Sequence, residues 1–239
     1  MQSLVILPGW STPNEVFADL TTALAKSYQI SVVDLQEFKQ EFIQASALKC
    51  VDALLAAIAV KIPDNSIVFG WSLGGMLAIK IAASYPHKAQ RLFTCATNLR
   101  FTQTAAYKSA MPAKMFNDFK RLLQQDVGKC LQKFRYLVAK GGSASKQVLQ
   151  YLNAVYSKHE FDKDYLIASL EVLGMLDLTD AINIDIPSVH IYGKNDALVA
   201  AKVSQLVQKG VVIEGAGHAP FLDNLEQFLG LLGSYNIVS

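Results

Sequence analysis

SIVFGWSLGGMLAIKIAAS, residues 66 to 84, changes character at its middle. The opening SIVFG is a near-continuous apolar run, the pattern of a strand covered on both faces. From Gly74 onward apolar residues return at helical spacing. Between the two, Gly70-Trp71-Ser72-Leu73-Gly74 must turn strand into helix within a few residues. A turn that tight strains the backbone of its central residue, and glycine on both sides leaves space where side chains would collide. Ser72 is thereby presented beyond the strand end, with a helix N-terminus behind it that favours developing negative charge. It is the candidate nucleophile of a strand-turn-helix elbow.

The same alternation extends in both directions. Strand-like runs occupy residues 4–7 (LVIL), 30–35 (ISVVDL), 91–95 (RLFTC), 188–192 (SVHIY) and 211–214 (VVIE). Helical spacing fills 14–27, 44–61, 74–84, 198–208 and 222–232. Strands alternating with helices predict an α/β fold: a mostly parallel, twisted sheet with helices on both faces. Residues 101–179 break the rhythm, with helical spacing, a single Pro112, a Gly141-Gly142-Ser143 turn and no convincing strand. This stretch reads as an inserted helical cap over one sheet edge, leaving residues 1–100 and 180–239 as the core.

At 239 residues the chain suits one large domain with an insertion better than two independent units. With 51% hydrophobic and 18% charged residues it can bury a large core and is not disordered. Its longest strictly apolar run, residues 53–60, falls short of the roughly 18 residues of a membrane span. No basic leader precedes the first strand, so a cytoplasmic protein is expected. Cys50, Cys95 and Cys130 have neither disulfide-framework nor zinc spacing. A formal net charge of +2 is too balanced for a surface that grips nucleic acid.

A serine hydroxyl needs a base, and the base needs an orienting group. Of the four histidines, His190 lies inside a buried strand, while His87 and His159 sit in polar surroundings. His218 follows the 211–214 strand in a small-residue loop, GAGHAPF. Asp196 likewise follows the 188–192 strand, and parallel strands bring such ends to one sheet edge. Asp177, Asp180 and Asp185 are rivals, but all precede that strand. For an oxyanion hole, the backbone N–H of Leu73 and that of Trp10, after the first strand, are the candidates. The indoles of Trp10 and Trp71 are read as pocket walls.

With these pieces placed, the sequence resembles the α/β-hydrolase superfamily over nearly its whole length. It is most similar to the BioH family, the pimeloyl-carrier-protein methyl ester esterases of biotin synthesis. The likeness is carried by GWSLGG at 70–75, LEVLGMLDL at 170–178, YGKNDALV at 192–199 and AGHAPF at 216–221. It implies a Ser72, Asp196 and His218 triad, an oxyanion hole at Trp10 and Leu73, and an acyl-pocket aromatic at Phe134. It implies a cofactor-free serine carboxylesterase whose substrate is an acyl methyl ester on acyl carrier protein. Three features depart from the family: Pro8-Gly9-Trp10 stands in place of HGW, no hairpin precedes the first strand, and Gln36-Glu37-Phe38-Lys39 replaces a glycine-rich segment. Two alternatives remain open, an esterase for free short-chain esters and a non-catalytic ligand receptor on the same fold.

Charge is unevenly distributed along the insertion. Residues 101–146 hold nine basic and two acidic side chains, whereas 147–179 hold two basic and five acidic ones. By resemblance, Lys129, Lys133 and Lys146 fall where the family places carrier-contacting arginines. A basic patch there would steer an acidic carrier protein toward the pocket.

Overall fold

The computed structural model describes residues 1–182 and 184–235. Residues 183 and 236–239, which belong to the expected core segment 180–239, lie outside the described residues. Six strands, β1 (Gln2–Leu7), β2 (Tyr28–Val32), β3 (Ser66–Trp71), β4 (Ala89–Cys95), β5 (Ser188–Gly193) and β6 (Gly210–Ile213), form one sheet. Every pairing is parallel, in the order β2-β1-β3-β4-β5-β6. The order reverses at β1, so the chain switches direction across the sheet beside β3. β3 and β5 are buried along their full length, as their continuous apolar sequences require.

Ten helices accompany the sheet among the described residues: α1 (Ala18–Leu24), α2 (Lys39–Leu48), α3 (Asp52–Val60), α4 (Leu73–Ser84), α5 (Ala113–Gln125), α6 (Val127–Ala139), α7 (Ser145–Tyr156), α8 (Lys163–Met175), α9 (Pro220–Asp223) and α10 (Leu225–Ser234). Helices α5 to α8 all lie between β4 and β5 in the chain. No helix among the described residues is long and apolar enough to cross a membrane. The three cysteines are free.

The structure redraws several sequence boundaries. The helix expected over 44–61 is two helices, α2 and α3, because Lys49 takes a left-handed φ of 54° and ends the first. The apolar run of α3 hides that stop by extending the hydrophobic pattern. The strand expected over 30–35 is Tyr28–Val32, and its alternating burial marks an edge strand with one face toward solvent. Leu35–Phe38 instead forms a 3-10 turn capped by the Asp34 carboxylate, which accepts from Gln36 N at 2.9 Å. The helix expected over 198–208 is a 3-10 turn, Ala201–Leu206. The one expected over 222–232 is interrupted at Asn224, whose side chain caps α10.

The segment that replaces the glycine-rich stretch leads into α2, and α2 packs on α8. Phe42 meets Tyr165 edge to face at 5.4 Å, and Lys39 pairs with Asp162 at 2.7 Å. On the other side, His159 Nε2 lies 3.0 Å from Glu15 Oε2, so this histidine is not simply solvated. The stretch between β4 and β5 is thus tied to the rest of the chain through more than one element.

His190 faces the interior from β5, its Nδ1 2.8 Å from Thr94 Oγ1. Burial pushes its imidazole down to about 4. Between that value and the unfolded value of about 6.5, the unfolded chain holds a proton that the folded chain does not. Stability from this site is therefore lost as pH falls through that window, at about 1.4 kcal/mol per pH unit. Denaturant melts at pH 7 and 4.5 should show a wild-type loss about 2 to 3 kcal/mol larger than in His190→Gln. Equal losses would show that His190 titrates normally.

Candidate active site

Ser72 is the N-cap of α4 and adopts φ 54° and ψ −116°, a conformation L-residues seldom hold. The flanking glycines are required by contact. A Cβ on Gly70 would lie 2.5 Å from Gly75 Cα, and one on Gly74 would lie 2.0 Å from Leu7 O. Ser72 N donates to Cys95 O at 2.9 Å, tying the elbow to the end of β4. The serine is 6% exposed.

Asp196 and His218 follow β5 and β6, which are sheet neighbours, and their side chains meet. His218 Nδ1 lies 2.8 Å from Asp196 Oδ2, with both side chains fully buried. A carboxylate only accepts, so Nδ1 carries the proton and Nε2 presents its lone pair. Asp196 Oδ1 accepts from Leu198 N at 2.7 Å and Val199 N at 3.0 Å, so both carboxylate oxygens are held. His218 Nε2 is buried and has no hydrogen-bond partner among the described residues. No hydrogen bond joins it to Ser72 Oγ. A base with a free lone pair and a fixed ring is what proton abstraction from a nearby hydroxyl needs.

The rival carboxylates lie elsewhere. Asp177 pairs with Arg100 and accepts from Thr179 Oγ1 at 2.7 Å, while Asp180 and Asp185 are exposed.

The loop after β1 abuts the serine: a Cβ on Gly9 would lie 3.4 Å from Ser72 Cβ. Leu73 opens α4, so its amide belongs to the first turn, which has no intrahelical acceptor. The two indoles have distinct surroundings. The ring of Trp71 packs against Phe17 and Phe221, and Nε1 donates to His218 O at 2.8 Å. It supports the histidine loop from the core. Trp10 does line a pocket, but its Nε1 also donates to Leu166 O of α8 at 3.0 Å, so the indole tethers the insertion as well.

That pocket is a small apolar chamber of about 20 Å³, little more than the space of one water molecule. Trp10, Phe116, Phe119, Phe134, Leu170 and Leu198 are among its walls, and every lining side chain is hydrophobic. Phe134 meets Trp10 edge to face at 5.0 Å. Leu198, next to the Asp196 loop, and Trp10, next to Gly9, place the chamber over the strand ends, although Ser72 itself does not line it.

Lys129, Lys133 and Lys146 are exposed on α6 and the start of α7. Lys129 lies 3.3 Å from Asp126. Lys114 and Arg121 share Asp118, and Lys120 pairs with Glu171; Asp118 and Asp126 are already in the count for residues 101–146, so of these partners only Glu171 offsets the basic excess. Asp223 escaped sequence reasoning. Half-buried, it accepts from Gly217 N at 2.7 Å, and burial pushes its carboxyl up. Only its place five residues after His218 hinted at a role.

The chain belongs to the alpha/beta hydrolase family, whose sequence profile it matches over residues 4–231. Among curated proteins it is similar to the pimeloyl-acyl-carrier-protein methyl ester esterase of Aliivibrio fischeri, 27% identical over 242 residues, 97% of this chain and 92% of that one. The enzyme of the same name from Shewanella woodyi is 29% identical over 238 residues, 95% of this chain and 91% of that one. A solved esterase from Exiguobacterium antarcticum has the same fold, with a TM-score of 0.74 at 20% identity over 98% of this chain and 91% of its own. By its family and its curated relatives the chain is a carboxylic ester hydrolase.

Proposed function

We propose that the protein is a cytoplasmic serine carboxylesterase that hydrolyses the methyl ester of a medium-length acyl chain on acyl carrier protein, as its pimeloyl-ester relatives are named for doing. The observation that carries the reading is the buried His218–Asp196 hydrogen bond, held at His218 O by the indole of Trp71, the residue that precedes Ser72 in its strained elbow. His218 Nε2 takes the Ser72 proton as Oγ attacks the ester carbonyl. Asp196 stabilises the imidazolium, and the Leu73 and Trp10 amides receive the oxyanion. As the intermediate collapses and its C–O bond to the methoxy group breaks, the imidazolium protonates that oxygen to release methanol, and water, activated by the same histidine, hydrolyses the acyl-enzyme. Every group needed is a side chain or amide of this chain.

In this reading residues 101–179 act as a cap on the core of residues 1–100 and 180–239. The acyl chain enters between Trp10 and Phe134, whose side chains must part to admit it into the small apolar chamber, which offers no polar group to a charged substrate. Lys129, Lys133 and Lys146 meet the acidic carrier, with Lys133 and Lys146 contributing most because Asp126 already offsets Lys129. Changing all three to glutamate should raise KM for a carrier-linked methyl ester about tenfold and leave p-nitrophenyl ester turnover unchanged. The carrier reaction should weaken between about 50 and 500 mM salt as the Debye length falls below about 10 Å. If the triple variant handles both substrates like wild type, the free-ester alternative replaces the carrier-linked one.

A further inference from the structure

The turn joining α6 to α7, Gly141-Gly142-Ser143, reaches both loops that carry the acid and the base. On the acid side, Asn195 Nδ2, one residue before Asp196, donates to Gly141 O at 3.1 Å. On the base side, Ser143 N donates to Gly215 O at 2.6 Å, three residues before His218. Asp223 completes the junction. It accepts from Gly217 N at 2.7 Å and lies so near the turn that a Cβ on Gly142 would fall 1.8 Å from its Oδ1. The two loops also touch each other: Asn195 N donates to Ala216 O at 2.9 Å, and a Cβ on Gly193 would fall 1.9 Å from Gly217 O. Three separate stretches of backbone converge here more closely than side chains would permit.

A hairpin between two surface helices does not require such contacts. The Asp196–His218 bond does require its loops to hold one spacing; the paired strands, the Asn195–Ala216 bond and the Trp71 indole hold it from the core, and the turn holds it from the opposite side. We propose that the Gly141-Gly142-Ser143 turn and Asp223 form a clamp, made of positioning residues, that fixes the Asp196 and His218 loops at the spacing their hydrogen bond needs. None of these groups touches the ester. The inference rests on the triad reading, and it makes the insertion part of the catalytic alignment as well as a cover for the pocket.

Steady-state kinetics on a p-nitrophenyl ester, with proton NMR of the low-field His218 Nδ1–H, test the clamp on the full chain. Gly142→Ala and Asp223→Ala should lower kcat about 10²-fold, the cost of misplacing a reacting group by about 1 Å, with KM within about twofold. Asp223→Asn keeps an acceptor for Gly217 N and should recover most of that loss. Asn195→Ala, at an exposed position where folding is not at risk, should cost about tenfold for one hydrogen bond. In the impaired variants the low-field resonance should broaden or vanish. A merely structural role would lower melting temperatures and leave kcat of the folded protein and the resonance intact, and that result in Asn195→Ala and Asp223→Ala would overturn the clamp. So would an Asp223→Asn variant as impaired as Asp223→Ala. A wild-type protein without ester turnover would defeat the esterase reading instead. The resonance, recorded without substrate, would still decide the clamp.

Discussion

Replacing Ser72 with alanine is expected to lower kcat about 10⁶-fold, because a nucleophile that acts as a unit with its base and acid leaves almost nothing when removed. The structure gives this serine no evident packing task to justify its backbone. It holds φ 54° at the tip of an elbow whose glycines stand where side chains would strike backbone atoms. Such strain is retained where the surrounding fold enforces it, commonly at a functional site. The alanine variant loses only a hydroxyl from a position 6% exposed, so it should fold and melt like wild type. The residual rate would come from the oxyanion amides and from binding. Mass spectrometry after fluorophosphonate treatment should find the adduct on the peptide containing Ser72. An adduct on any other serine, or turnover that survives in Ser72→Ala, would sink the assignment, whereas wild-type turnover no greater than that of Ser72→Ala would favour the receptor alternative.

Asp196→Asn should cost about 10⁴ in kcat through the tautomer of His218. The native carboxylate accepts on both oxygens, from Leu198 N and Val199 N on Oδ1 and from His218 Nδ1 on Oδ2. An asparagine has one acceptor for these two tasks. With two backbone donors fixed on one side, its oxygen turns to them and its NH₂ faces the imidazole. His218 must then accept at Nδ1, which moves its proton to Nε2 and removes the lone pair meant for the Ser72 hydroxyl. Asp177→Asn is the control, since Asp177 is engaged with Arg100 and Thr179. It should change kcat by no more than about twofold, as for a surface substitution within about 0.5 kcal/mol. A folded Asp177→Asn variant as damaged as Asp196→Asn would mean that the wrong carboxylate has been assigned.

The parallel sheet and the elbow were legible in the sequence because both are local. SIVFG is apolar without interruption, and two glycines flank the serine at fixed offsets. Asp196 and His218 were legible as candidates for a related reason: each follows a strand, and parallel strands place such residues on one edge. What stayed hidden depends on partners distant in the chain. The indole of Trp10 bonds to Leu166, and that of Trp71 bonds to the carbonyl of His218, contacts that no window along the sequence contains. Lys49 could end α2 only by taking a left-handed conformation, which a lysine does not advertise as a glycine would. The charge count could not show which cations are paired, and Asp118, Asp126 and Glu171 engage Lys114, Arg121, Lys129 and Lys120.

Because the inserted helices are fastened at Lys39–Asp162, Phe42–Tyr165, Trp10–Leu166, His159–Glu15 and Asn195–Gly141, they do not behave as a cassette. Transplanting them onto a related core would strand both halves of each contact, among them a buried carbonyl on α8 and an aromatic partner of α2. The anchoring positions on the core side lie in the stretches 10–17, 36–42 and 195–196, so these segments and the helices must change together. Diversification of this protein is therefore constrained to paired substitutions across the seam, and a hybrid built by domain exchange would have to carry those three core stretches along with its new roof.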